Sequence, residues 1–162
     1  VANTVWAFAK AGFEAPFLFE AVAAHVVERA HTFAPRDVAN TAWAFAKLKV
    51  RHLELFRAVA VALRAKVGTL RHFSPQNLAN VAWAFAKAGI AAPLLFAGVA
   101  TRVRDDAVHF KAQELANVAW AFAKAGIAAP RMFGAIASCV AAQSGNFNPQ
   151  ELANVAWAFT KL

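Results

Sequence analysis

The chain has 162 residues, of which 60% are hydrophobic and 16% charged, and its formal net charge is +8. A single cysteine, Cys139, excludes a disulfide framework and a paired-cysteine zinc site, and we interpret it as a small buried hydrophobe. No apolar run is long enough for a transmembrane helix, so no membrane partner is expected. The positive charge of a repetitive chain favours a polyanionic partner.

One segment recurs five times and is clearest between Ser74 and Gly89, where it is SPQNLANVAWAFAKAG. Each copy has a tryptophan, with asparagine three residues before it and lysine four residues after it. The five tryptophans are Trp6, Trp43, Trp83, Trp120 and Trp157, spaced by 37, 40, 37 and 37 residues. A fixed period of this length is typical of solenoids. The sequence therefore predicts an all-α fold, a right-handed α-solenoid of two-helix repeats of about 37 residues.

We expect a single array over residues 1–162, with repeat units at 1–33, 34–73, 74–110, 111–147 and, in part, 148–162. Because the chain begins and ends within a repeat, we expect it to be a piece of a longer protein. Each unit should contain a helix A that carries the tryptophan and an antiparallel helix B. Strand patterns are absent, so the chain should be mostly helix and contain no sheet.

Helix A is expected to start at an N-cap residue followed by proline, as at Ser74–Pro75 and Asn148–Pro149. Ala34–Pro35 keeps only the proline, and Lys111–Ala112 keeps neither residue, which predicts a softer start. A glycine after the last helical residue should form a left-handed C-cap. These glycines are Gly12, Gly89 and Gly126.

Helix B is expected to start at a proline in three repeats, at Pro16, Pro93 and Pro130. The second repeat differs, because it has Leu53 in place of this proline and Lys49 in place of the glycine cap. It also has three extra residues around 65–70. We expect this insertion to lengthen helix B or the following loop without breaking the stack of repeats.

A step of about 100° per residue around helix A separates two faces. The stripe predicted to be buried contains Leu78, Val81, Ala82 and Phe85. The opposite face is predicted to contain Asn80, Ala84 and Lys87, with Trp83 on the flank. In stacked repeats, these positions would form a row of amides beside a row of ammonium groups on the concave surface.

Single-stranded nucleic acid needs cations for its phosphates and hydrogen-bonding groups for its bases. The candidate RNA-binding residues are Asn3, Lys10, Asn40, Lys47, Asn80, Lys87, Asn117, Lys124, Asn154 and Lys161. Structural interpretations remain open for both residue types: the lysines could satisfy carbonyls at the helix end, and the asparagines could bridge neighbouring repeats. The tryptophans are predicted to pack between repeats.

No catalytic or metal-ligating pattern is present. The five histidines have no metal-ligand spacing, and the chain lacks both a phosphate-binding glycine loop and a nucleophile motif. Asp105–Asp106 is interpreted as an isolated acidic pair at a solvated helix end. We therefore expect a protein that is not an enzyme and that takes no metal, no cofactor and no small-molecule substrate.

The motif PxxLAN-x-x-WAFAK with a following glycine, repeated over the whole chain, resembles the octotricopeptide and heptatricopeptide repeats of algal, apicomplexan and dinoflagellate organelle proteins. It is also similar to the helical repeats beside RAP domains and to those of a kinetoplastid RNA-editing substrate-binding complex protein. The resemblance implies a solenoid that binds single-stranded organellar RNA and acts in transcript processing, stability or translation. It also implies a mitochondrial or chloroplast location, with other organellar RNA-processing proteins as partners.

The alternative is a protein-interaction scaffold of the armadillo or HEAT kind, whose groove uses asparagine and tryptophan to hold extended peptides. Charge distinguishes the two hypotheses, because a peptide groove does not need a lysine in every repeat.

Overall fold

The computed structural model describes residues 1–65, 70 and 72–161, with residues 64 and 65 described as backbone only. Five helices belong to the A type: α1 (Ala2–Ala11), α3 (Pro35–Lys47), α5 (Pro75–Ala88), α7 (Ala112–Ala125) and α9 (Pro149–Phe159). Four belong to the B type: α2 (Pro16–Arg29), α4 (Leu53–Ala65), α6 (Pro93–Asp106) and α8 (Pro130–Gln143). Of the described residues, 82% are helical and none is in a strand, which confirms the all-α helical-repeat fold.

The helix starts follow local capping chemistry. At α5, Ser74 Oγ accepts a hydrogen bond from the Asn77 N–H at 3.2 Å, as predicted. At α7, which lacks both serine and proline, the Lys111 side chain provides no cap, as the sequence predicted. Glu114 Oε2 accepts a hydrogen bond from the Lys111 N–H at 2.8 Å, so a carboxylate three residues into the helix caps the end that lacks both serine and proline.

The C-terminal ends of the A helices confirm the predicted left-handed caps, with φ of 70°, 68° and 67° at Gly12, Gly89 and Gly126. Lys49 takes the same conformation in the second repeat, with φ of 59°. Its N–H donates to the Ala46 carbonyl at 3.2 Å, and the next N–H, of Val50, donates to the Phe45 carbonyl at 2.8 Å. The second repeat therefore keeps the left-handed turn without the glycine that normally avoids its backbone strain.

The second repeat also replaces the proline at the start of helix B. His52 precedes α4, and its Nδ1 accepts a hydrogen bond from the Leu55 N–H at 3.1 Å, which caps the helix. The predicted insertion lies, apart from Leu70 and the backbone of Ala65, outside the described residues. Leu70 itself is buried beside Gly98 of α6, where an added methyl group would overlap its side chain.

The core is built from phenylalanine pairs that join each helix B to the following helix A. The ring centroids of Phe19 and Phe45 lie 4.8 Å apart, and those of Phe96 and Phe122 lie 5.0 Å apart. The pairs Phe56–Phe85 and Phe133–Phe159 repeat this contact at 5.2 Å. The Phe19–Phe45 pair is tilted and the other three are edge-to-face, and aromatic pairs of this kind stabilise a core beyond the area that they bury.

The predicted buried stripe of α5 is confirmed, since Leu78, Val81, Ala82 and Phe85 are all fully buried. In α3, Thr41 occupies the place that Val81 has in α5. Its hydroxyl is buried and has no hydrogen-bond partner. The helices α5, α7 and α9 have valine at this position, whereas α1 has Thr4, which is exposed, so the buried hydroxyl without a partner is a defect of the second repeat.

The A helices pack against one another in the order α1, α3, α5, α7 and α9. The B helices contact one another less closely, and the contact between α4 and α6 is the lightest among them. Closer packing of one helix set bends a solenoid toward that set, so the A helices line the concave side. Within the described part of the chain, no helix has the length and apolar character needed to cross a membrane.

The last described helix, α9, has an apolar face that no described helix covers. Its residues Leu152, Trp157 and Phe159 are 36%, 38% and 38% exposed, whereas Leu78 and Phe85 at the matching positions of α5 are 0% exposed. Exposed apolar surface of this kind promotes association.

Candidate nucleic-acid interface

The five tryptophans form one continuous row along the A helices. Neighbouring indole centroids lie 6.3, 6.2, 6.1 and 6.5 Å apart from the first pair to the last, and the rings are inclined to each other by 28–38°. The prediction that tryptophan packs between repeats is confirmed. Rings at this spacing contact each other, so the row leaves no gap into which a base could stack between them.

The five candidate lysines lie beside this row, one turn further along each helix. Three ammonium groups lie over an indole, with Nζ to centroid distances of 4.9 Å for Lys10, 6.0 Å for Lys47 and 5.9 Å for Lys161. Lys87 and Lys124 occupy the same position in α5 and α7 and are equally exposed. Cation–π contact holds an ammonium group at a fixed place without neutralising its charge.

None of these lysines forms an ion pair with a described carboxylate. They also donate no hydrogen bond to a described helix-end carbonyl. Their charge is therefore unneutralised on the concave side.

The candidate asparagines form a third row, one turn before the tryptophans. Asn40, Asn80, Asn117 and Asn154 are half-buried and Asn3 is exposed. Among the described residues, none of the five amides forms a hydrogen bond with another protein group. Each repeat thus presents an amide whose donors and acceptor are open to water or to a ligand.

One groove is lined by two members of each of the three rows. It has a volume of about 500 Å³ and is lined by residues of α1, α3, α5 and α7. Its lining includes Trp6, Lys10, Trp43, Lys47, Asn80 and Asn117. Residues from helices more than a hundred positions apart in the chain therefore face one concave space.

The predicted face needs one correction. Ala84 was expected to lie with Asn80 and Lys87 on the face opposite the core, but Ala84 is 0% exposed. It lies in the interface between neighbouring A helices, because α5 has α3 on one side and α7 on the other. The small alanine side chains at these positions let the A helices approach closely.

One further position of the groove was missed in the sequence. Gln76 and Gln113 line it together with Lys111, although none of the three was a candidate. The glutamines lie four residues before the asparagines and hence on the same helical face. This four-residue spacing could have identified the two glutamines from the sequence. Gln150 and Arg36 occupy the same position in α9 and α3.

The charges on helix B behave differently from those in the groove. Arg57 donates to Glu54 Oε1 at 2.7 Å, which is typical of an exposed helical ion pair. Arg102 and Arg104 donate to Asp106 and Asp105, both at 2.6 Å. The prediction that the acidic pair is isolated is therefore wrong, because each carboxylate has an arginine partner.

These ion pairs also affect the titration of the two carboxyls. The hydrogen bond from Arg102 holds the pKa of Asp106 below its ordinary value of 3.8, and that from Arg104 does the same for the pKa of Asp105. Across the described residues, no group of three histidine, cysteine or acidic side chains is arranged to hold a metal ion.

The sequence profile of one protein family matches three segments of the chain, residues 16–41, 54–81 and 129–155, which together make up half of its length. The family is described as "Protein of unknown function (DUF1601)". Each matched segment begins near the start of a helix B and continues into the next helix A, which is the pair joined by the phenylalanine contacts. A search among curated proteins returned no match to this chain.

Proposed function

Because the chain belongs to this family of proteins of unknown function (DUF1601), whose description names no activity, we propose a function from the concave face: the protein binds single-stranded RNA along its row of A helices. The observation that carries the proposal is the row of five exposed lysines, one per repeat, without a carboxylate partner among the described residues. Phosphates recur once per nucleotide, and a row of regularly spaced cations matches a backbone with one negative charge per unit.

The contrast between the two helix sets supports this proposal. Arginines on helix B are used in local ion pairs with Glu54, Asp105 and Asp106, so much of their charge is neutralised within the protein. The five lysines on helix A have no described carboxylate partner. Of these, Lys10 and Lys47 line the groove, together with Lys111 and one acidic residue, Glu114. Such an arrangement concentrates positive potential in a concave space, where a polyanion gains most from it.

The wider role follows from the repeat motif. The resemblance to octotricopeptide and heptatricopeptide repeats supports a role in organellar RNA processing, stability or translation, in a mitochondrion or chloroplast. In this proposal the repeat array is not itself an enzyme. It holds RNA for other organellar RNA-processing proteins and requires no cofactor.

The test is a salt titration of RNA binding by a variant that carries Lys47→Gln, Lys87→Gln and Lys124→Gln. The slope of log K against log salt should fall by about 0.7 for every phosphate that is no longer neutralised, so the three changes should lower it by about 2. Affinity for all RNA sequences should fall by a similar factor, because phosphate contacts carry no sequence information. Helical content should hold, since glutamine is nearly as good a helix former as lysine.

A matched control carries Arg29→Gln, Arg57→Gln and Arg131→Gln, which removes the same charge from helix B. This control should keep most of the slope, because its cations lie outside the groove. If the lysine variant keeps the RNA affinity and the helical content of the wild-type protein, RNA binding through this face is refuted.

One observation favours the alternative of a peptide-binding scaffold. The unpaired amides of Asn40, Asn80 and Asn117 could bond to the backbone of an extended peptide, as in armadillo-type grooves. The same lysine experiment separates the two hypotheses. An unchanged RNA affinity with the fold intact would favour the scaffold.

A further inference from the structure

The groove presents nearly the same side chains at every step. Along each helix A one stripe contains an asparagine, a tryptophan and a lysine, and these three are identical in all five repeats. In the four later helices, the position four residues before the asparagine is glutamine (α5, α7 and α9) or arginine (Arg36 in α3). A surface that repeats in this way offers the same side chains to each nucleotide of a bound strand.

A uniform surface affects which nucleotide sequences bind most tightly. If one base suits the amide of one repeat, the same base suits the amide of every repeat. A strand of that base gains at each step, whereas a strand of mixed sequence gains only where the matching base happens to fall. Differences of this kind add along the array when the positions are well separated.

The tryptophans are poorly placed to select the base. Their rings contact one another at 6.1–6.5 Å between centroids, and their side chains are half-buried except at Trp157. Selection therefore depends on the asparagine amides, which are unpaired among the described residues. An amide offers a donor and an acceptor side by side, so it can hold the edge of a base with two hydrogen bonds. In a single strand the Watson–Crick and Hoogsteen edges of the bases are free to pair with it.

We infer that the groove selects runs of one kind of nucleotide in single-stranded RNA, with one base facing the asparagine of each repeat. The inference rests on the proposed RNA binding. It specifies the class of RNA that the protein binds, a low-complexity strand.

The experiment compares the affinity of the wild-type protein for oligo(A), oligo(U), oligo(C) and a mixed sequence of equal length at one salt concentration. One homopolymer should bind about tenfold more tightly than the other two and the mixed sequence, because the preference at one asparagine repeats at every step. Equal affinity for all strands would overturn the inference while leaving RNA binding intact. Absence of binding to every strand would instead contradict the proposed function.

A variant tests whether the amides carry the preference. Asn80→Ala with Asn117→Ala should abolish most of the preference for the favoured homopolymer and keep the salt slope, since the lysines are unchanged. The control, Gln143→Ala with Asn146→Ala, removes two amides that bond to each other outside the groove, and it should keep the preference. A preference that survives in the groove variant would overturn the role of the amides. The ranking measured with the wild-type protein stands even if a variant folds poorly.

Discussion

Lys49 is strained by its backbone, and replacing it with glycine should stabilise the protein. Its φ of 59° lies in the left-handed region, which costs a residue with a Cβ atom about 1–2 kcal/mol. Glycine avoids this cost but adds about 0.5–1 kcal/mol of chain entropy in the unfolded state. The difference predicts that Lys49→Gly raises the free energy of unfolding by about 0.5–1 kcal/mol, since both capping hydrogen bonds are made by the backbone and remain.

Urea and thermal unfolding followed by circular dichroism measure this effect. For a chain of this size, the predicted gain corresponds to an increase in Tm of about 1–4 °C. Lys49→Ala is the matched control, because it removes the same charge but keeps the Cβ atom, and it should change the stability little. Gly89→Ala should destabilise by a similar amount, because it places a Cβ atom at φ of 68°. Equal effects of Lys49→Gly and Lys49→Ala would refute the strain argument and assign the effect to charge.

Three further predictions concern stability. Thr41→Val should raise the free energy of unfolding by about 1–2 kcal/mol in urea unfolding, because it removes a buried hydroxyl without a partner, and Val81→Thr should lower it. Phe122→Ala should cost about 3–5 kcal/mol in the same assay, whereas Phe159→Ala, at the matching but 38% exposed position, should cost less than half as much. The lowered pKa of Asp106 predicts stabilisation that is complete above pH 3.8 and is lost as the pH falls through the folded-state pKa. In acid unfolding, Asp106→Asn should remove this part of the pH dependence of stability. An unchanged pH dependence in the acid range would contradict the prediction.

Features that depend on a few neighbouring residues could be predicted from the sequence. The left-handed turns at Gly12, Gly89 and Gly126 follow from the need for a residue without a Cβ atom at φ near 70°. The Ser74 cap follows from a side chain three residues away. Local contacts missed in the sequence are the glutamate that bonds back to Lys111, and the arginines one and four residues away that pair with Asp105 and Asp106.

The sequence by itself determined where the helices begin and end and which stripe of each faces the core, because capping and the 3.6-residue period act within one or two turns. Tertiary structure alone decided what covers the other faces of those helices. Ala84 is buried and Lys87 is exposed, although both were assigned to one face. The helices that pack against α5 come from residues 37–40 positions away, so the sequence of α5 alone does not show from which side they approach. The same holds for the groove, where a row of amides, indoles and ammonium groups exists only because the A helices pack more closely than the B helices and bend the array toward them.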